Sequence, residues 1–149
     1  MPLSDNEYLQ INQALFSMTH AYEERMLKEE QRRPTGLMLS DRQVLMVLGQ
    51  FAPINSRQLS AIMDINPGTI SVYVHRLVKK GLVRKEQEQF DRRKWLLHLT
   101  EEGRTAARQT IAGGVAYTRD FLSVLSGDEK KTLHELLLKV SHSLGFDWQ

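Results

Sequence analysis

No cysteine occurs anywhere in the 149 residues. Disulfides, thiolate zinc sites, thiol nucleophiles and cysteine redox sensing are thereby excluded together. The five histidines, His20, His75, His98, His134 and His142, never fall three or four residues apart, so no helical metal pair is expected. Long apolar runs are also missing. The longest, Val44 to Leu48, is far short of the roughly 20 residues a membrane helix needs. The first residues, Met-Pro-Leu-Ser-Asp-Asn-Glu, lack a basic and an apolar leader region, so a cytoplasmic location without a membrane partner is expected. There is no phosphate-cradling glycine-rich loop, no Gly-x-Ser-x-Gly elbow and no evident carboxylate dyad. An enzyme is therefore not expected, nor a cofactor or a metal.

What is present is ordinary in amount and uneven in distribution. Hydrophobic residues make up 41% and charged residues 26%, as in a globular protein, and the length suits one domain. The net charge is only +2. Yet the stretch from Arg57 through His98 carries nine Lys and Arg against four Asp and Glu, a balance of +5, and the remainder carries −3. A basic middle between acidic flanks suits a polyanion-binding module. Charge by itself leaves open a merely solvated basic face.

Periodicity and end signals predict the elements. Ser4-x-x-Glu7 is a capping box, followed by apolar residues at Tyr8, Ile11, Leu15, Met18 and Tyr22. This helix should fade by Arg33 and stop at Pro34-Thr35-Gly36. A second helix is expected from Ser40, with Gln43 completing a box, and the apolar run Val44–Leu48 marks it as central and buried. Ala52-Pro53 ends it. A short third helix should be capped by Ser56 and use Leu59, Ile62 and Met63 as its core face. After a turn at 64–66, Asn66 and Pro67 supply an N-cap and a first helical residue. The fourth helix should reach about Lys80 and end at a left-handed Gly81. Ile70, Val74 and Leu77 share its inner face, and Thr69, Ser71, Val72, His75, Arg76 and Lys79 lie on or near the opposite one. Two short helices around a tight turn match a helix-turn-helix.

The period then changes. Leu82–Glu88 and Lys94–Leu99 read as strands of a hairpin, a wing, with a doubly basic connection, Gln89-Phe90-Asp91-Arg92-Arg93. Phe90 is expected to pack on the hairpin in preference to wedging against sugars, and Trp95 to join its core in preference to forming a base-stacking platform. Thr100 should cap a long helix to about Leu125, in which Gly113-Gly114 implies a bend or a close crossing. Ser126-x-x-Glu129 opens a last helix with Leu133, Leu136, Leu137, Val140 and Leu144 on one side.

The expected fold is mainly α with a small β-hairpin wing: a winged helix-turn-helix lobe at about residues 40–100, and dimerisation helices at about 4–33 and 101–146, within one domain spanning 1–149. The outer helices carry more apolar stripe than the small module can cover, which predicts a homodimer through the first and last helices.

The run Leu77-Val78-Lys79-Lys80-Gly81-Leu82-Val83-Arg84-Lys85, then Asp91-Arg92-Arg93, then Leu99-Thr100-Glu101-Glu102-Gly103, resembles the MarR family (multiple antibiotic resistance regulators). The resemblance spans nearly the whole chain in element order. It implies a homodimeric winged helix-turn-helix transcription regulator, usually a repressor, that binds a pseudo-palindromic operator on double-stranded DNA. It also implies release of the operator by a small, often aromatic or phenolic, ligand held between the dimer and DNA-binding lobes.

Independently, a helix N-terminus entering the major groove would offer Thr69, Ser71, Val72, His75 and Arg76 to bases and phosphates. By the resemblance, Arg92 and Arg93 match the wing arginine of the minor groove, and Asp91 is placed to aim Arg93 by an ion pair across the turn. Two departures stand out. Many members carry a basic residue where Val72 stands and an acidic or amide residue where His75 stands, so the preferred operator should differ. His20, beside Met18 and Tyr22, is a candidate ligand contact or an ordinary helix residue. Met26, Met38 and Met46 are lining or core filler. The competing reading is a winged-helix module for protein–protein contacts without a specific DNA site.

Overall fold

The computed structural model describes residues 1–146. The chain forms two compact units, Met1–Leu39 and Ser40–Gln149.

The first unit is dominated by helix α1 (Asp5–Arg32), whose Ser4 and Glu7 close the predicted capping box. The Ser4 hydrogen bonds hold the Glu7 carboxyl below the usual carboxylate range. Beyond the helix, the Glu30 carboxylate accepts from the Thr35 amide at 2.7 Å and the Gly36 amide at 2.8 Å, which turns the chain. No residue of α1 is buried within the chain. Tyr8, Ile11, Leu15 and Met18 keep their stripe exposed, joined by Leu9 and Phe16.

The second unit holds α2 (Leu39–Phe51, entering from its first residue), β1 (Ile54–Asn55), α3 (Ser56–Met63), α4 (Pro67–Lys79), β2 (Val83–Gln87), β3 (Trp95–Leu99), α5 (Glu101–Phe121), a single 3-10 turn at Leu122–Val124, and α6 (Gly127–Ser143). Val44, Leu45, Val47 and Leu48 of α2 are buried, as the apolar run requires. Leu59 of α3, Ile70, Val74 and Leu77 of α4, and Val83, Leu97 and Leu99 of the sheet are buried as well and make up the rest of the core.

Three local expectations are corrected. Helix α2 starts one residue before Ser40, whose hydroxyl accepts from Arg76. Helix α3 is capped by Asn55 rather than Ser56, through reciprocal bonds with Gln58 at 2.8 and 2.9 Å. Asn55 is half inside a strand, which masks its cap signature. That strand, β1, is only two residues long and pairs antiparallel with β3, Ile54 opposite Leu97, so the wing belongs to a three-stranded sheet of order β1-β3-β2. Helix α6 opens at the predicted Ser126–Glu129 box, whereas α5 ends at Phe121, short of the expected Leu125, where the 3-10 turn takes over. Helix α5 runs unbroken through Gly113 and Gly114, and a Cβ at Gly113 would meet only Tyr117 of its own helix, at 3.9 Å.

One joint ties the wing to α5. Gly81, with φ of +74°, turns the chain out of α4. Thr100 then donates its hydroxyl to the Gly81 carbonyl and its amide to the Leu82 carbonyl, while its side chain caps α5 at Gly103. The approach is so close that a Cβ at Gly103 would lie 1.9 Å from the Leu82 carbonyl oxygen. Gly103→Ala is expected to destabilise the protein by about 3 kcal/mol, because backbone and not a flexible side chain must yield. Denaturant unfolding measures it, and an unchanged midpoint would contradict the packing described.

Candidate nucleic-acid interface

Helices α3 and α4 are joined by the short turn 64–66. Asp64 is the left-handed C-cap of α3, at φ 51°. Its neighbour strengthens the turn, for the Ser60 hydroxyl donates to the Ile65 carbonyl. Asn66 Oδ1 accepts from the Thr69 amide at 2.9 Å, and Pro67 occupies the first turn of α4 where it removes no needed donor. With Ile70, Val74 and Leu77 inward, the outer face presents Ser71, Val72, His75 and Lys79 to solvent, with Thr69 half-buried. Val72 is 59% exposed, an apolar side chain held on a polar face.

Arg76 behaves differently from its neighbours. Its Nε donates to Asp41 Oδ1 at 2.7 Å and its Nη2 to Ser40 Oγ at 2.8 Å, and its guanidinium lies 5.3 Å from the Tyr73 ring centroid. Lys80 Nζ lies 3.2 Å from Asp41 Oδ2. The structure thus spends Arg76 on holding α4 to α2. Asp41 is completely buried and was missed by sequence reading. Its signal was an acid in the first turn of the helix with the buried apolar run, matched by two cations four residues apart at the end of α4, Arg76 and its C-cap Lys80.

The wing is a regular hairpin, with Val83 opposite Leu99 and Gln87 opposite Trp95. Arg84 donates to Glu86 at 2.8 Å, and this bond and charge, with a smaller contribution from His98, hold the Glu86 carboxyl below the usual range. The pairing therefore supports the hairpin above the ordinary carboxylate range and is lost as pH falls through the lowered value. At the tip, the Lys94 amide donates to the Asp91 carbonyl at 2.9 Å, and the Glu88 amide to the Lys94 carbonyl at 2.9 Å.

Arg92 and Arg93 are exposed at this tip. The Asp91 carboxylate accepts from the Arg93 backbone amide at 3.1 Å, so it shapes the turn where an ion pair to the Arg93 side chain was expected. Such a local bond is the habit of an aspartate in a tight turn. Two further expectations are corrected here. Phe90 is 93% exposed and packs on nothing in the hairpin, because its position lies past the last paired residues. Trp95 is 50% exposed, because it opens β3 beyond the covered part of the sheet. His20, on α1, is exposed and stacks parallel to Phe16 with ring centroids 6.4 Å apart. Among the described residues no cluster of three or more His, Cys, Asp or Glu is placed to hold a metal, and no helix is long and apolar enough to cross a membrane.

A capped helix-turn-helix followed by a basic antiparallel hairpin defines the winged helix-turn-helix class. Comparison with known proteins narrows it. A MarR family sequence profile matches residues 35–94. The HTH-type transcriptional regulator MgrA of Staphylococcus aureus is 30% identical over 103 residues, 67% of each chain. Among solved structures, a probable transcriptional regulator from Pseudomonas aeruginosa superposes with a TM-score of 0.71 at 27% identity, covering 88% of this chain and 96% of that one. Streptococcus pneumoniae FabT, solved in complex with DNA, superposes with a TM-score of 0.77 at 22% identity, covering 93% and 97%. The chain belongs to the MarR family of transcription regulators.

Arg76→Ala is expected to cost about 3 kcal/mol in unfolding free energy, since it strips a fully buried carboxylate of its nearest cation. Arg76→Lys should fall between, keeping charge but losing the fork that reaches Asp41 and Ser40 together. Equal stability of all three proteins in denaturant would show that the clamp holds nothing.

Proposed function

We propose that this protein is a sequence-specific DNA-binding transcription regulator, a repressor that grips a pseudo-palindromic operator as a homodimer in the cytoplasm. The observation that supports the reading is the pairing, in one unit, of a capped helix with an open polar face and a hairpin tip bearing two exposed arginines. In this reading Thr69, Ser71, Val72, His75 and Lys79 meet the major groove. Val72 suits a thymine methyl group and not a guanine. Arg92 and Arg93 enter the minor groove, Asp91 sets their turn, and Arg76 positions α4 without reading a base.

The dimer follows from area left uncovered. Neither α1 nor α6 buries a residue within the chain, and both keep rows of large apolar side chains, Leu136, Leu137 and Val140 among them on α6. Such rows mark a contact with a second copy. The protein should sediment as a dimer at micromolar concentration, and Leu137→Lys with Val140→Lys should shift it toward monomer. Monomeric wild-type protein at that concentration would sink the dimer.

The function itself is tested by selection from random duplexes, with and without small aromatic or phenolic acids. An enriched palindrome is expected, with half-sites about one helical turn apart. The log–log dependence of affinity on salt should be steeper than about −4. Arg93→Ala should weaken binding by about 1–3 kcal/mol and flatten that slope by about 1. Failure to enrich a palindrome would favour a protein-binding module. An aromatic acid that releases the operator would act by favouring a spacing of the two α4 helices that mismatches the half-sites, with His20 a candidate contact. An acid that binds and leaves operator affinity unchanged would remove that step.

A further inference from the structure

Phe90 has no partner in its own hairpin, and it directly precedes a turn, 91–94, that hydrogen bonds hold. The Glu88 amide donates to the Lys94 carbonyl and the Lys94 amide to the Asp91 carbonyl, both at 2.9 Å, and the Asp91 carboxylate accepts from the Arg93 amide at 3.1 Å. The Gln87 side chain adds a bond to the Arg92 carbonyl. A phenyl ring 93% exposed is therefore presented beside a bonded turn, between the paired strands and the two arginines. Its surroundings are cationic: Arg92, Arg93 and Lys94 are all exposed, and the one acid between ring and arginines, Asp91, has its carboxylate bonded to the backbone.

An apolar ring rimmed by cations matches one surface well. The minor groove of DNA has walls of deoxyribose C–H and rims of phosphate, and it is narrow enough to grip a flat ring. Phenylalanine is among the side chains that wedge there between base steps, and the cost of unstacking depends on the step. Pyrimidine–purine steps yield most easily.

On the reading that the protein binds an operator, we propose that Phe90 is a specificity-determining wedge. Its ring enters the minor groove beside Arg92 and Arg93, presses on the sugars, and partly unstacks one base step under each wing. The arginines answer to phosphate charge and groove width, and Phe90 answers to how easily the step deforms. Operator choice then includes two flexible steps outside the bases that α4 touches.

The test compares wild type, Phe90→Ala, Phe90→Leu and Arg93→Ala on the operator chosen from random duplexes by the wild type. The wild-type operator should hold a TA or CA/TG step at a symmetrical position outside each half-site. With 2-aminopurine placed at that step, wild type should raise its fluorescence on binding, and Phe90→Ala should not. Phe90→Ala should lose about tenfold in affinity and lose the step preference while keeping the half-site sequence and the salt slope. Phe90→Leu should retain part of both effects, and Arg93→Ala should flatten the slope and keep the fluorescence rise. Folding is not at issue, since so exposed a ring should leave the melting temperature unchanged on removal. A wild-type operator with Phe90→Ala indistinguishable from wild type in affinity, step preference and fluorescence overturns the wedge and leaves DNA binding standing. A wild type that selects no duplex overturns both.

Discussion

One buried carboxylate restrains how the outer face of α4 is aimed. Asp41 lies in the first turn of α2, where the helix dipole favours an anion, and it faces Arg76 and Lys80 from α4. The apolar contacts of Ile70, Val74 and Leu77 hold α4 to the core, but apolar adhesion has no preferred direction. Charged hydrogen bonds do. The apolar stripe sets which face of α4 points outward, and the fork from Arg76 to Asp41 and Ser40 adds a directional restraint on that rotation. An arginine on the side of α4 expected to meet a groove is thus bonded to Asp41 and Ser40.

The wing is aimed by a second joint with a different physics. At Asp41 opposite charges attract. Near Gly103 the fit is set by the absence of a side chain, which lets α5 start against the backbone of Leu82 while Thr100 bonds Gly81 and caps the helix at once. The sequence run Leu99 to Gly103 is thus a mechanical connector between β3 and α5.

The helices were legible because their signals are local. Ser4 with Glu7, Asn66 with Pro67, Gly81, Thr100 and Ser126 with Glu129 all act within one turn of where they stand. The inward face of α4 was legible from spacing alone. Much of what escaped depended on partners distant in the chain, while the Asn55 cap of α3 and the Asp91 bond to the Arg93 amide escaped although local. Asp41 meets residues 35 and 39 positions away. Strand β1 is two residues long and exists only because β3 is there to pair with it. Phe90 and Trp95 were expected to be covered because they are large and apolar, yet the hairpin has nothing to cover them with at its far end. For the candidate interface, residue types and order were readable, and the diversion of Arg76 and the backbone bond of Asp91 were not.

The sheet's order also governs how copies of this chain can stick together. With β3 between its neighbours, β2 is left as an outer strand whose far side offers unpaired backbone groups. Such a side invites another chain to add a strand. Here it carries Arg84, Lys85 and Glu86 in succession, all exposed, and a fourth strand laid alongside would have to accommodate their charge. Growth by strand addition along this longer edge is thereby discouraged.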